Sequence, residues 1–502
     1  MIALFNVKKE DLFLFAIFVI ISLAIILKSY FHFDGYISPD SGYYLACAEY
    51  LKNGDSFLIS AYEYQGEKNE YFAIWPIGYP LLIAAISILT GTSVFWASKI
   101  LNIILIGFLF LILRSLFKNN AYVYGLIFFF SSYLEIASFT WSENFFLTSI
   151  VFFGYSITRL MTSTKSLKIS LVLILLSSIL LFLARYVGVF SIGVLFWIYI
   201  YFLYFKIDKK KAKVVLCAFL FNIIFVFLYL YNNYLQTELI TGINRPSSVE
   251  ANIELIKMLF VALFIELVIP VHTFFSVESK YLTFTFTILQ LLIVLLIYFI
   301  FRQSINNFFK INKIPILSLV FFFIGFSYLF IMIALRWIIH FDNFGYRLLS
   351  PGMLMLFIGV IYYVLQNNSF KVTKIFLIFF LPLTIASLVL NFPIKIIFQQ
   401  SKNQLTYNQN KEKIINEYLG VEKNSIIIFS EPRHLRYLRI DLERRNPHHF
   451  EKWEDFLNRI DHNETKEIYL KVPSYEIDTK YYHLSILKVL EKYRYDKLVR
   501  IR

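Results

Sequence analysis

Four ionisable residues stand beside long apolar runs of the sequence, where charged side chains are rare. Asp40 and Glu143 carry carboxylates, and Arg185 and Arg347 carry guanidinium groups. A positioned carboxylate can accept the proton of an attacking hydroxyl, and arginine binds a phosphate through two parallel hydrogen bonds. Ionisable groups beside membrane spans are costly, so they are functional candidates by default. Together the four residues indicate a site for a lipid substrate linked through phosphate or pyrophosphate.

Each of these residues also has a structural interpretation. Asp40 lies between Pro39 and Ser41, a pattern typical of the first turn of a helix, and for such a residue capping is commoner than catalysis. A single arginine at a membrane interface usually anchors a helix by reaching to water. Two arginines and two carboxylates on one face of a membrane protein are harder to explain in this way, so both interpretations stay open.

The segments that must position these residues are long, apolar and helical. In the 502-residue chain hydrophobic residues make up 58% and charged residues 16%, and phenylalanine occurs 56 times. A soluble domain could not bury so much apolar surface. Runs such as 11–27 and 281–301 are long enough to cross a bilayer as helices, and the alternation typical of a membrane β-barrel is missing. The sequence therefore predicts an all-α polytopic membrane protein.

The apolar runs predict about eleven spans, or thirteen if two short segments also cross. The short segments are 76–90 and 254–275, which we expect at or partly inside the outer leaflet. The full spans are predicted at 11–28, 93–117, 120–136, 143–160, 168–184, 187–205, 214–231, 281–301, 314–335, 348–366 and 375–392. Residues 1–392 thus form a transmembrane domain.

The charge distribution predicts the orientation. The formal net charge is +14, and basic residues such as Lys209 and Lys210 cluster at the ends of apolar runs. This is the positive-inside pattern of membrane proteins, which makes membrane lipids the expected surroundings and argues against nucleic acid as a partner. The first loop, 29–75, then lies outside the cytoplasm, in a chain expected in the inner (plasma) membrane. A helix predicted at 43–52 has an apolar side suited to the membrane interface.

The composition changes to a charged one in the tail, 393–502. Strands are predicted at 424–429, 466–472 and 495–501, with helices at 450–459 and 483–493, an alternation typical of a small α/β domain. By topology this domain lies outside the cytoplasm. Its basic cluster, which includes Arg436 and Arg445, is expected to be a solvated face, or else to contact anionic lipid or glycan.

The sequence predicts neither a disulfide framework nor a metal site. Cys47 and Cys217 are expected on opposite sides of the membrane, and His32, His272 and His340 have no ligand spacing. The first loop contains no Asp-x-Asp motif, so a divalent metal or other cofactor is not indicated.

Five short motifs resemble those of the GT-C superfamily of polyprenyl-phosphate-dependent glycosyltransferases. The similarity is to the bacterial group related to the aminoarabinose transferase and the protein O-mannosyltransferases (glycosyltransferase family 39), and it covers about residues 11–392. In chain order the motifs are Pro39-Asp40-Ser41-x-Tyr43-Tyr44, Trp75-Pro76-x-Gly78-Tyr79-Pro80-Leu81-Leu82, Ser142-Glu143-Asn144-Phe145-Phe146, Ala184-Arg185-Tyr186-Val187-Gly188 and Arg347-x-x-x-Pro351.

The resemblance implies an enzyme that transfers a sugar from a polyprenyl-phosphate donor, with inversion, to an acceptor outside the cytoplasm. Asp40 matches the catalytic carboxylate of the first loop and would be the general base, and Glu143 matches a second acidic position. Arg185 and Arg347 would neutralise the donor phosphate as it leaves. Substrate contacts are also expected from Tyr44, Tyr79 and Tyr186. The acceptor, whether lipid, glycan or protein, stays open.

One departure from the family pattern is in the second motif. The aminoarabinose enzymes have a lysine before the Pro-Pro pair that opens this helix, whereas this chain has Ala73-Ile74-Trp75-Pro76. A phosphate-binding cation would have to come from Lys68, Lys280 or Arg336. Two alternative functions remain, a lipid or glycan transporter (or flippase) and a non-catalytic scaffold for envelope assembly. A transporter would be expected to hold its charged groups near the membrane midplane rather than at outer span ends.

Overall fold

The computed structural model describes residues 8–60, 69–162, 166–243, 245, 247, 248, 250–267, 314–367, 370–401, 404–428, 434–445, 451–460, 467–471, 483–492 and 498–501, and the positions 292, 295, 299 and 302. Within these residues, nine helical segments are long and apolar enough to cross a membrane, so the chain is a multi-pass membrane protein. They are Lys9–Phe31, Val94–Phe129, Ser142–Thr162, Leu167–Ala184, Tyr186–Phe205, Lys209–Thr237, Ile316–Ile338, Tyr346–Gln366 and Phe376–Ser401. The span predicted at 281–301 lies outside the described residues.

The membrane domain is a bundle of helices around one apolar core. The described helices, numbered in chain order, are α1 (Lys9–Phe31), α2 (Pro39–Lys52), α3 (Gly78–Thr90), α4 (Val94–Phe117), α5 (Ala121–Gly125), α6 (Ser131–Ser138), α7 (Ser142–Thr162), α8 (Leu167–Ala184), α9 (Phe190–Ile200), α10 (Lys209–Thr237), α11 (Asn252–Leu267), α12 (Ile316–Ile338), α13 (Tyr346–Asn367), α14 (Phe370–Val389) and α15 (Lys395–Ser401). A two-stranded antiparallel hairpin, β1 (Leu58–Ser60) with β2 (Asn69–Tyr71), follows α2. The centre of the bundle is α7, which is buried on nearly all sides.

The span predicted after α4 is not one regular helix. The chain forms a short 3-10 turn, α5, a second 3-10 turn and α6, with an extended Phe130 between the last two. Two ion pairs show that this broken segment still crosses the bundle beside α1. Asp11, near the start of α1, pairs with Arg114 at the end of α4, and Lys28, near the end of α1, lies 2.8 Å from Glu135 in α6.

The helices of the two ambiguous segments, α3 and α11, are short within the described residues. α3 has 13 residues and α11 has 16, which at 1.5 Å per residue is about 20 and 24 Å against a hydrocarbon core of about 30 Å. α3 packs against α2, α4 and α8, and α11 packs against α13. These are the two ambiguous segments of the sequence, although residues 268–275 of the second lie outside the described residues.

The tail has the predicted α/β alternation. Its elements are α16 (Tyr407–Glu417), β3 (Ile426–Ile428), α17 (Leu435–Leu438), β4 (Glu443–Arg445), α18 (Trp453–Ile460), β5 (Ile468–Lys471), α19 (Leu484–Leu490) and β6 (Leu498–Arg500). The strand order is β4-β3-β5-β6, with β6 antiparallel to β5 and the other pairs parallel. The predicted strands and helices match β3, α18, β5, α19 and β6, whereas α16, α17 and β4 were not predicted.

Two arginines of the tail's basic cluster, Arg436 and Arg445, are buried, whereas a solvated face had been expected. Arg436 is buried, donates a hydrogen bond of 3.4 Å to the Pro39 carbonyl, and places its guanidinium 4.1 Å from the centre of the Tyr43 ring. Arg445 is buried in an ion pair with Glu443. Arg436 of α17 therefore holds the tail against the first loop at one end of the bundle. Arg445 of β4 is paired within the tail.

The helix of the first loop is buried, so its predicted position at the lipid interface was wrong. α2 begins at Pro39 rather than at residue 43, and Tyr44, Leu45 and Cys47 are all almost fully covered. α3 covers one side of α2, and α17 of the tail covers another. The apolar positions that suggested an interfacial helix are thus explained by protein on both sides.

Candidate active site

Asp40 lies in the first turn of α2 but is not its cap. The cap is Ser38, whose hydroxyl accepts a hydrogen bond of 3.3 Å from the Ser41 backbone N–H, while the Ser41 hydroxyl accepts one of 2.9 Å from the Ser38 N–H. This reciprocal pair satisfies the free N–H groups that a capping aspartate would otherwise serve. The Asp40 carboxylate is instead in direct contact with the Arg347 guanidinium. The structural interpretation of Asp40 as a helix cap is therefore wrong.

The four charged residues singled out by the sequence form one cluster of alternating charge. Arg347 contacts both Asp40 and Glu143, and Arg185 Nη1 lies 2.6 Å from Glu143 Oε1. The residues come from the starts of α2, α7 and α13 and from the end of α8. Their convergence from four distant segments confirms that they share one location, which we call the charge cluster.

Glu143 is the innermost member of the charge cluster. Its side chain is fully buried, and Oε1 receives both arginines. Oε2 has no hydrogen-bond partner among the described residues, although it too is buried. A buried carboxylate is costly unless it is paired, and here two guanidinium groups and the N-terminus of α7 provide the positive charge.

The loop before α7 orients the cluster. The Arg347 guanidinium stands 4.5 Å from the centre of the Trp141 ring, and Trp141 Nε1 donates a hydrogen bond of 2.6 Å to Ser38 Oγ. A third carboxylate, that of Asp342, lies 3.2 Å from Arg347 Nη1. Arg347 is thus held by three carboxylates and one aromatic face. Among the residues that the structure describes, no group of three or more His, Cys, Asp or Glu side chains is placed to hold a metal ion.

Two polar residues of α4 form hydrogen bonds with the segment that leads into α7. Lys99 is buried and donates to the Ser138 carbonyl at 2.7 Å. Asn102 donates to the carbonyls of Ala137 and Phe139 at 2.9 and 2.8 Å. Since backbone carbonyls buried in an apolar bundle need partners, these side chains hold the loop in one conformation. The sequence analysis missed Lys99 and Asn102, although polar residues within an otherwise apolar span were the signal that could have found them.

Of the three predicted tyrosines, Tyr44 borders the charge cluster most closely. Its hydroxyl lies 3.0 Å from the Ser142 hydroxyl, and burial raises its pKa, so the phenol stays neutral. Tyr79 packs edge-to-face on Tyr44 and donates to Asn102 at 3.2 Å. The Tyr186 hydroxyl donates to the Ala73 carbonyl at 2.7 Å and accepts from Asn233 at 2.8 Å. The hydroxyls of Tyr79 and Tyr186 are thus engaged by the protein itself, and their substrate contacts stay a prediction.

A further arginine near the cluster was missed. Arg245, in the loop after α10, donates a hydrogen bond of 3.1 Å to the Ile74 carbonyl, and Arg185 and Tyr44 are among its electrostatic neighbours. It pairs with no carboxylate of the described chain. Of the three cations proposed from the sequence for this place, Lys68 and Lys280 lie outside the described residues, and Arg336 is buried with its guanidinium 2.6 Å from Glu250. Within the described residues, Arg245 is therefore a cation placed beside Ile74.

Two solved structures resemble this chain over most of its length. The chain matches ArnT from Cupriavidus metallidurans bound to undecaprenyl phosphate with a TM-score of 0.53 and 11% sequence identity, covering 97% of each chain. It also matches the oligosaccharyltransferase of Archaeoglobus fulgidus in the apo form, with a TM-score of 0.50 and 13% identity over 91% of this chain and 69% of that one. The chain has the GT-C fold. No model of a protein family and no curated protein matches the sequence.

Proposed function

We propose that this protein is a membrane glycosyltransferase that moves a sugar from a polyprenyl-phosphate carrier to an acceptor. The observation that carries the proposal is the charge cluster, in which Asp40, Arg347, Glu143 and Arg185 converge from four segments of a GT-C fold. A base beside phosphate-binding cations is what glycosyl transfer from a sugar phosphate requires.

The proposed reaction is a single displacement at the anomeric carbon. A hydroxyl of the acceptor attacks that carbon, Asp40 takes the hydroxyl proton, and the bond from the carbon to the phosphate oxygen breaks. The polyprenyl phosphate leaves with both bonding electrons, and the sugar is inverted. Negative charge grows on the phosphate as it leaves, so Arg185 and Arg347 stabilise the transition state more than the bound donor.

In the free protein the Arg347 guanidinium already contacts carboxylates, and one of them is that of the proposed base, Asp40. The guanidinium therefore occupies an oxygen of Asp40 that the acceptor hydroxyl would need. A donor phosphate at Arg347 would compete for the same guanidinium and release Asp40 toward the acceptor. Arg245, which has no carboxylate partner among the described residues, is a further cation for the phosphate. Donor binding and activation of the base would thus be coupled.

The structural likeness supports a polyprenyl-phosphate carrier. The ArnT structure that shares this fold contains undecaprenyl phosphate. The placement of charge also favours an enzyme over a transporter. All four residues of the charge cluster lie at helix ends, at the end of the bundle that carries α2, whereas transporters bind their substrates near the membrane midplane.

The test is release of polyprenyl phosphate by the purified full-length protein. We expect turnover with at least one member of a panel of undecaprenyl-phosphate sugars, measured by thin-layer chromatography of the lipid product. Asp40→Asn is the matched control, since it should bind the same donor without turnover. Movement of intact donor across a vesicle membrane, with no lipid phosphate released, would contradict the proposal and favour a flippase.

We further propose that the charge cluster and the tail lie outside the cytoplasm, in the plasma membrane. Single cysteines at the exposed positions Asn53 and Glu491, in a Cys47→Ala and Cys217→Ala background, should react with a membrane-impermeant maleimide in intact cells. A cysteine at Lys209, at the basic opposite end, should react only after permeabilisation. Labelling of Lys209→Cys in intact cells, with Asn53→Cys and Glu491→Cys protected, would reverse the orientation.

A further inference from the structure

A cavity lies beside the charge cluster and has no role in the reaction proposed above. It measures about 830 Å³ and is enclosed by α6, α11, the start of α13 and the segment from Asn391 to Lys395. This volume is within the range of roughly 300–1,000 Å³ that is usual for small-molecule sites. The wall toward the charge cluster is Tyr346, which precedes Arg347 in the chain and whose ring lies 6.4 Å from that of Trp141.

The floor of the cavity is polar. Glu266 is fully buried, and its two carboxyl oxygens accept hydrogen bonds from the hydroxyls of Ser132 and Ser350 at 2.9 and 3.0 Å. No cation among the described residues pairs with it, and burial raises its pKa to about 7. A carboxyl group has about four lone-pair positions, of which the serines use two. Glu266 is among the residues that line the cavity, and it keeps acceptor positions beyond those that the serines use. A cavity for a lipid chain alone would not keep such a group at its floor.

The walls combine aromatic rings with polar groups. Phe139, Phe344 and Tyr346 line the cavity together with Asn343 and Lys257. Neither the Lys257 ammonium nor the Tyr346 hydroxyl has a hydrogen-bond partner in the part of the chain that the structure describes. Aromatic faces suit the apolar C–H faces of a sugar ring, and amide, ammonium and carboxyl groups suit its hydroxyls. An apolar side of the lining is formed by Met258, Val261, Ala262 and Ile265. The whole set of groups therefore suits a saccharide that carries an apolar or lipid part.

We infer that this cavity binds a saccharide, which is the sugar end of the acceptor. Only the identification of this saccharide as part of the acceptor depends on the proposed function. The binding of a saccharide can be tested without a donor. It names the acceptor class that the sequence left open, a glycan or a glycolipid rather than a protein side chain.

The test is saturation-transfer NMR on the full-length protein in lipid nanodiscs. The probes are methyl glycosides of glucose, galactose, mannose and N-acetylglucosamine, together with methyl maltoside, in the absence of donor. We expect transfer to at least one probe with the wild-type protein. Ala262→Trp, which fills the cavity from α11, should abolish it. Val172→Trp, which adds the same bulk on an exposed face of α8, should leave it unchanged. Glu266→Gln keeps the shape of the side chain and should weaken binding at least tenfold.

Two results would overturn the inference. One is no transfer to any of the five probes with the wild-type protein, and the other is equal transfer in wild type and Glu266→Gln. If Ala262→Trp does not fold, as judged by gel filtration, the Glu266→Gln measurement decides. The binding of the probes is measured without donor, so it does not depend on turnover. Saccharide binding without any donor turnover would therefore refute the proposed function and leave the saccharide site standing.

Discussion

Asp40→Asn should lower the rate of sugar transfer by about a hundred- to ten-thousand-fold, the usual cost of losing a general base. Asparagine keeps the size of the side chain but cannot take the proton of the acceptor hydroxyl. Donor affinity should change little, because Arg185, Arg245 and Arg347 remain. The measurement is steady-state release of polyprenyl phosphate, with donor binding titrated separately.

Thermal unfolding separates this role from a structural one. Since Ser38 and not Asp40 caps α2, Asp40→Asn should leave the unfolding temperature close to that of wild type. Ser38→Ala removes the cap and should cost about 1 kcal/mol of stability. Glu49→Gln is the matched control for activity, because Glu49 is on the same helix but pairs only with Lys52 at 3.5 Å among the described contacts. If Asp40→Asn released polyprenyl phosphate at the wild-type rate, Asp40 would have no role in catalysis.

Much of the site could be predicted because charge is rare in this sequence. In an apolar chain, a carboxylate or arginine beside a span stands out from its surroundings, and Asp40, Glu143, Arg185 and Arg347 were found in that way. Their meeting in space also followed from topology, since each was predicted at the same side of the membrane. Topology could not predict which of these four residues contact one another. No feature of the sequence indicates that Arg347 bridges Asp40 and Glu143.

The errors have a common physical origin in contacts between distant segments. The helix at 43–52 was predicted to lie on lipid because its apolar side had no visible partner, and that partner is α17 of the tail. The arginines of the tail were predicted to be solvated because nothing in the local sequence shows that Arg436 stacks on Tyr43. The broken segment after α4 was predicted as one helix because hydropathy does not detect an extended residue such as Phe130 within an apolar run.

Arg245 was missed for a different reason. It lies in a polar loop among other polar residues, where an arginine is not unusual. Its significance comes only from the absence of a carboxylate partner in the described chain and from its hydrogen bond to Ile74. Only the folded structure shows that Arg245 lies near the charge cluster and that no carboxylate of the described residues pairs with it.

Arg347→Ala should reduce transfer by about a hundred- to a thousand-fold, the range measured when one preorganised donor to a developing charge is removed. It should also weaken donor binding, because the guanidinium binds the phosphate before the sugar leaves. Arg347→Lys should be intermediate. The three guanidinium nitrogens contact three different carboxylates, those of Asp40, Glu143 and Asp342, and a single ammonium cannot reproduce that geometry.

The measurements are titration of an undecaprenyl-phosphate sugar and single-turnover transfer for wild type, Arg347→Lys and Arg347→Ala. Arg114→Lys is the control, because Arg114 also forms an arginine–aspartate pair, with Asp11, but at the opposite end of the bundle. It should match wild type in both assays. If Arg347 only anchors α13, lysine should substitute fully and donor affinity should be equal in all three proteins. That result would remove Arg347 from the donor site and leave the binding of phosphate to Arg185 and Arg245.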